Sequence, residues 1–372
     1  MKIAYTISGL FNSGGMENIL TQKANYLADR LGYDVTIITT DQKGREGYFP
    51  LSDKVKRVDL GVNYCDFKDS KLWQIKKELL KKRHRARLSE VLDAEKFDVC
   101  ISLMDFDFDF LYKINDGSRK MIESHFSRYA KVLATPNRLM QFAQKVRTFS
   151  WKNRISKYDR FVVLTHEDKA QWGDLPNIEV IPNFINTDPT NFASQDSKKI
   201  ISVGRMDYQK GYDMLLNAWK IAQKKLPGWQ LDIFGGGDKK PFMDIIETEN
   251  IKAVTFHNPT SEIGKKYAES SFYVMSSRYE GLPLVLLEAM SCGLPVVSFQ
   301  CPCGPADIIK DKFGILVPPG DTETLADAIV RCAENQSWRE SASQNARAEA
   351  RNYSKDAIMK RWQDLFQALN HK

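Results

Sequence analysis

Ser277–Ser291 reads SRYEGLPLVLLEAMS, and the chain on either side of it is best understood from this stretch outward. FYVMSS (Phe272–Ser277) runs into it as a short apolar segment of the kind that forms a buried strand. Arg278–Pro283 is then the loop leaving the strand's carboxyl end. Pro283 suits the first turn of a helix, where its missing N–H has no partner to lose. LVLLEAMSC continues as that helix, and Gly293 stops it. The N–H groups around Leu282, Leu284 and Val285 are left without intrahelical acceptors, which makes the turn an anion site. Glu280 and Glu288 bracket it, eight residues apart. Glu288 is flanked by Leu286, Leu287, Ala289 and Met290, so its helix is apolar nearly all round. A carboxylate buried there without a partner is costly. That favours an acceptor for the two hydroxyls of a ribose over an ordinary solvated glutamate.

Further along the second half, IISVGRM, QLDIFGGG, VTFHN and PVVSF are short apolar strands alternating with helical stretches such as GYDMLLNAWKIAQKKLPG. The first half repeats the pattern with KIAYTIS, YDVTIITT, FDVCISL, RKMIES and RFVVLT. Strands separated by helices imply parallel sheets with right-handed crossovers. The fold class is therefore α/β, with two Rossmann-like, doubly wound domains facing across a cleft. IPNFINTDPTNFASQDSKK reads as the linker. The boundaries are placed at 1–187 and 188–353, and the apolar stripe of 354–372 marks a terminal helix that must dock elsewhere.

Three further segments carry chemistry. Gly204 and Arg205 end a strand and Lys210 follows in the next loop, so two cations sit beside a helix start, a setting suited to a diphosphate. Gly14-Gly15 lets backbone approach an anion closely, although it is not a dinucleotide fingerprint. Asp105, Asp107 and Asp109 alternate with Phe in MDFDFDF. Extended backbone would put the three acids on one face; an acceptor-side or structural role is preferred here to a metal site.

Composition narrows the field. The 372 residues include 54 Lys/Arg and 47 Asp/Glu, for a net charge of +7, and no run is long and apolar enough to span a bilayer. All of the positive excess lies within 1–187, which points to an anionic surface or partner for that half alone. No export signal precedes the first strand, so a cytoplasmic location is expected. The six cysteines are scattered and read as free thiols. The absence of a glycine fingerprint disfavours a dehydrogenase.

GGMEN, VGRMDYQKG, YEGLPLVLLEAMSCGLPVVS, CPCGPADII and GILVPPGD, in that order, resemble family 4 of the retaining glycosyltransferases, which have the GT-B fold. CPCGPADII is similar to the sub-group that builds bacterial capsule, O-antigen and related glycans on a lipid carrier. The resemblance implies a UDP-sugar donor held mainly by the second domain, with no cofactor or metal required. By that likeness, Arg205 and Lys210 hold the diphosphate and steady the leaving UDP, Glu288 binds the ribose, and Glu280 contacts the sugar. Backbone around Gly281, Leu282 and Leu284 covers the diphosphate and sugar hydroxyls. His125 lies where relatives often place a histidine near the anomeric centre, but here Ser124 separates it from Glu123. The terminal helix is implied to return to the first domain. Rival readings are a UDP-sugar epimerase of the same fold and a non-catalytic nucleotide-sugar-binding partner.

Residues 71–87 contain eight Lys/Arg against one Glu, and 138–157 contain six with no acid, interleaved with Trp, Phe and Leu. Such surfaces suit anionic lipid. The acceptor implied is an undecaprenyl-diphosphate-linked saccharide, reached by a protein peripheral on the inner face of the cytoplasmic membrane, with no nucleic acid involved.

Overall fold

The computed structural model describes residues 1–67, 69–135, 137–186 and 189–370. The linker boundary expected at 187/188 lies outside them. In the first half, β1 (Lys2–Ile7), α1 (Gly15–Asp29), β2 (Asp34–Thr39), β3 (Lys56–Asp59), α2 (Trp73–Glu95), β4 (Val99–Ser102) and β5 (Arg119–Glu123) follow in order. Then come α3 (Ala130–Leu133), α4 (Arg138–Ile155), β6 (Arg160–Val163), α5 (His166–Trp172) and β7 (Ile178–Val180). These strands form one parallel sheet in the order β3-β2-β1-β4-β5-β6-β7.

The second half gives β8 (Lys199–Val203), α6 (Tyr212–Ala222), β9 (Gln230–Phe234), α7 (Lys240–Thr248), β10 (Val254–His257), α8 (Ile263–Ala268) and β11 (Phe272–Met275). It continues with α9 (Leu284–Ser291), β12 (Val296–Phe299), α10 (Pro305–Ile308), β13 (Gly314–Val317), α11 (Thr322–Glu334) and α12 (Gln336–Ala350). Its sheet, also parallel, runs β10-β9-β8-β11-β12-β13. Both sheets are covered on both faces, which is why their central strands are continuous apolar runs. In each sheet the order reverses beside the first strand, at β1/β4 and at β8/β11. Loops leaving the carboxyl ends diverge there and open a crevice, the usual ligand position in open α/β sheets.

The last helix, α13 (Lys355–Asn370), does not join the sheet that precedes it. Its Ile358, Met359, Trp362, Leu365, Phe366 and Leu369 are buried in one cluster with Ile3, Tyr5, Ile19 and Leu27 of the first lobe. The two chain crossings between lobes run side by side: Ile185 N–H donates to the Tyr353 carbonyl at 2.9 Å.

Two local expectations are corrected. Residues 106–109 form a 3₁₀ turn, not an extended segment, because Asp105 accepts the Phe106 N–H at 2.9 Å and turns the chain. The acids consequently diverge. Asp107 is buried, accepts from Thr6 Oγ1 at 2.5 Å and Ser102 Oγ at 2.9 Å, and is pushed up to about 7 by burial. Asp109 pairs with Lys81 and with Arg154 at 3.3 Å. Pro283 is the cap residue before α9, not its first turn.

Candidate active site

The loops after β8 and β11 meet at the switch point. Asp207 organises the first loop: its carboxylate accepts the Lys210 N–H at 3.2 Å and lies 3.3 Å from the Arg205 guanidinium. Gly211 closes the turn with φ +64°, and a side chain there would run into the Ser276 carbonyl. Gly204 is more loosely constrained: a Cβ there would sit 2.9 Å from the Tyr212 hydroxyl and 3.0 Å from Lys210 Cδ, both side-chain atoms. Lys210 Nζ donates to Glu280 Oε1 at 2.8 Å, with the two side chains only 15% and 7% exposed. Gln209 Nε2 reaches the Tyr279 carbonyl at 3.1 Å and Glu280 Oε2 at 3.4 Å. Arg278 locks the loops together by a two-pronged pair with Asp213 at 2.9 and 2.6 Å. Arg205, by contrast, is 75% exposed, a cation at the rim paired with Asp207.

Beyond Glu280, the N–H groups of Gly281, Leu282, Leu284 and Val285 have no protein acceptor among the described residues. Pro283 supplies no side-chain cap, so the start of α9 presents bare amides to the crevice. Glu288 lies one turn further in. Burial raises its carboxyl above the usual glutamate value, and no hydrogen bond or ion pair among the described residues engages it. A half-buried acceptor of this kind is satisfied by a ligand's hydroxyls.

The first lobe closes the crevice from the other side. A Cβ at Gly281 would stand 3.0 Å from the His125 carbonyl, so this glycine permits the lobes to touch. The His125 ring is turned inward, 5% exposed, with Nε2 3.1 Å from Glu123 Oε1. Glu123 pairs with the buried Lys23. Burial would raise the Glu123 carboxyl, but Lys23 and His125 together hold it well below the usual range. The two-residue spacing therefore places Glu123 and His125 on one side of the chain. Gly14 caps α1 beside the Glu17 carboxylate, and the space at Gly15 is open. Among the described residues no hydrogen bond or ion pair links either glycine to the second lobe.

The CPCGPADII stretch bridges the lobes. The Pro302 carbonyl accepts the Glu280 N–H at 3.0 Å, which fixes the loop carrying the acid. Asp307 accepts the His166 and Glu167 N–H groups at 3.2 and 3.0 Å, and Glu167 Oε2 accepts the Cys303 N–H at 2.9 Å. Each carboxylate thus crosses the cleft to cap the other lobe's turn. Asp207, Gln209, Glu167 and Asp307 were not singled out from sequence. Asp207 and Gln209 lie between Arg205 and Lys210, the one positional hint available. Among the described residues no group of three His, Cys, Asp or Glu is arranged to hold a metal ion.

Residues 184–349 match the family model described as Glycosyl transferases group 1, and 13–189 match that described as Glycosyltransferase Family 4. The chain is a glycosyltransferase. Its two-sheet architecture is that of the GT-B glycosyltransferases. This glycosyltransferase is 29% identical to an uncharacterized glycosyltransferase of Haemophilus influenzae, covering 98% of this chain and 99% of the relative. It is 27% identical to the amylovoran biosynthesis glycosyltransferase AmsD of Erwinia amylovora, over 98% and 99%. Anabaena Alr3699/HepE, solved in complex with UDP, superposes with a TM-score of 0.74 at 16% identity, covering 99% of this chain and all (100%) of the other.

Proposed function

We propose that this glycosyltransferase moves a hexose or N-acetylhexosamine from a UDP-sugar, with retention, to a lipid-diphosphate-linked saccharide in surface polysaccharide synthesis. The observation that carries the donor half is the Lys210–Glu280 pair set beside the bare amides of α9. Glu288 takes the ribose hydroxyls. Arg205, Lys210 and the amides take the diphosphate, and the UDP found in a structural neighbour supports that nucleotide. In the front-face displacement we infer, the bond from the anomeric carbon to the β-phosphate oxygen breaks and the acceptor oxygen bonds that carbon from the same face. The acceptor's hydroxyl proton passes to the departing phosphate. Lys210 and the amides stabilise the growing negative charge, and Glu280 holds Lys210 and meets the sugar. The His125 ring, turned inward on the first lobe, is assigned to the side of the transferred sugar. With two cations and a helix start supplied by the chain, no metal or other cofactor is called on, and turnover should persist in EDTA.

The acceptor half rests on α4. Leu139, Phe142, Val146 and Phe149 lie on one side of this helix and are 82%, 69%, 56% and 70% exposed. Leu72, Ile75 and Leu79 of the α2 region are 58%, 64% and 61% exposed. An exposed apolar stripe amid lysines and arginines fits the headgroup layer of an anionic bilayer. No helix among the described residues is long and apolar enough to cross a membrane, so the association proposed is peripheral, on the cytoplasmic face. AmsD's part in amylovoran biosynthesis supports the same setting.

A panel of UDP-sugars against polyprenyl-diphosphate saccharides, with the product's anomeric configuration determined, tests the reading. Glycosidic product with the donor's configuration supports it. An inverted product overturns retention, and release of free sugar or an epimerised UDP-sugar with no acceptor dependence overturns transfer.

A further inference from the structure

A cavity of about 320 Å³ lies between α4 and the donor loops. One wall is the face of α4 opposite its exposed stripe, carrying Arg147 and Trp151, and Trp172 of α5 closes the side. The far end is Gln209 and Tyr279, and the Gln209 amide joins the Tyr279 carbonyl to Glu280. The space therefore touches the donor crevice at one end and opens among cations at the other.

Charge at the open end is unbalanced. No carboxylate pairs with Arg147 among the described residues; its guanidinium rests 5.6 Å over the Trp151 ring. Lys77 of α2 stands near enough to feel it: partial burial, then Lys81 and Arg147, push the Lys77 ammonium below its usual range. Lys81 is paired with Glu78 and Asp109, so the cation left without an acid is Arg147, and its repulsion with Lys77 is relieved by an anionic ligand. Arg128 lines the cavity as well. Its guanidinium is held by the Gln171 carbonyl and lies 4.8 Å over the Trp172 ring, while its Nε is buried without a partner. An anchored guanidinium with donors to spare is preorganised for phosphate.

We propose that this cavity receives the phosphorylated head of the acceptor, its reacting sugar against Gln209 and Tyr279 and its phosphates met by Arg147 and Arg128. The inference rests on the lipid-diphosphate acceptor proposed above and assigns it a place. A volume at the lower end of small-ligand pockets, roughly 300–1,000 Å³, accommodates the head and excludes a long chain. The chain is left to the bilayer, on the stripe that α4 carries on its other face. Arg147 thereby becomes the residue that distinguishes a diphosphate-linked acceptor from a neutral glycoside.

The full-length protein is assayed at saturating donor with two acceptor series. One is short-chain polyprenyl-diphosphate N-acetylglucosamine, glucose and galactose; the other is the same sugars as alkyl glycosides. Arg147→Ala should raise KM for the diphosphate acceptor about tenfold, a typical loss for one charge-assisted contact. Donor KM and the slow hydrolysis of donor alone should be unchanged. Any transfer to the glycosides should be indifferent to the substitution, and Arg147→Lys should recover part of the loss. An unchanged KM in Arg147→Ala, with the native enzyme active on the diphosphate acceptor, overturns the cavity assignment alone. A native enzyme that hydrolyses donor but uses no diphosphate acceptor overturns the acceptor reading and the cavity with it.

Discussion

The two sides of the cleft solve recognition differently. On the second lobe, polar groups are tied to one another before any ligand arrives: Arg278 to Asp213, Gln209 and Lys210 to Glu280, Asp207 to Lys210. On the first lobe, α4 leaves Phe142 and Phe149 in solvent and Arg147 without an acid. A small, rigid donor is read by fixed geometry, with little to reorganise when charge develops. An acceptor whose tail belongs to a membrane is met by a surface, where apolar area and net charge matter more than exact placement.

That contrast can be broken or sharpened by substitution. The largest effect is expected from Lys210→Ala. Removing a charge aimed at the leaving diphosphate should lower kcat/KM about 10²–10³-fold without altering vesicle partitioning. A loss below roughly threefold would remove Lys210 from the mechanism.

Phe142→Ser combined with Phe149→Ser should act on the other side only. Burying one phenylalanine is worth about 1.5–3 kcal/mol, so partitioning onto anionic vesicles should fall at least tenfold in flotation. Both rings are exposed, so the melting temperature and turnover of a water-soluble acceptor should hold. Equal flotation of variant and native protein would assign the stripe elsewhere.

Asp307→Ala deletes two hydrogen bonds between the lobes. It should lower kcat roughly five- to thirteenfold, from a loss of about 1–1.5 kcal/mol, and enlarge the free enzyme's radius of gyration in solution scattering. A smaller kcat with an unchanged radius would mean that Asp307 acts on the donor loop rather than on closure.

The smallest effect is a pH dependence. Burial raises the Glu288 carboxyl, so protonation begins above the ordinary glutamate value of about 4.3. Donor KM should rise a few-fold as pH falls towards that window, and Glu288→Gln should flatten this limb while weakening donor binding at neutral pH. For stability the sign is opposite. The folded state favours the protonated acid, so the penalty for the half-buried carboxylate is present above the raised pKa and absent below the unfolded one. Glu288→Gln should therefore raise the melting temperature at pH 8 and leave it unchanged at pH 4.

Central strands such as β1, β8 and β11 were legible because burial on both faces makes them uninterrupted apolar runs. β3 escaped notice: KRVD is an edge strand whose Lys56 and Arg57 point to solvent. The short β7 and β13 were also missed. The DFDFDF alternation suggested extended chain with period two, but the Asp105 cap wins and winds it into a turn. Within the site, Lys210, Glu280 and Glu288 could be chosen by residue type and spacing. Their couplings could not, because Lys210 and Glu280 are 70 residues apart. Asp307 meets α5 from 140 residues away, a contact with no local signature at all.

The return of α13 to the first lobe has a consequence for how this chain is made. The helix follows the whole second lobe in order of synthesis, yet its Trp362 ring lies 3.8 Å from the Lys23 ammonium. Until α13 emerges from the ribosome, the nascent first lobe has an uncovered apolar face and a Lys23–Glu123 pair still open to water. Its core is therefore completed last although its sheet is made first, and the second lobe must fold beside an unfinished neighbour.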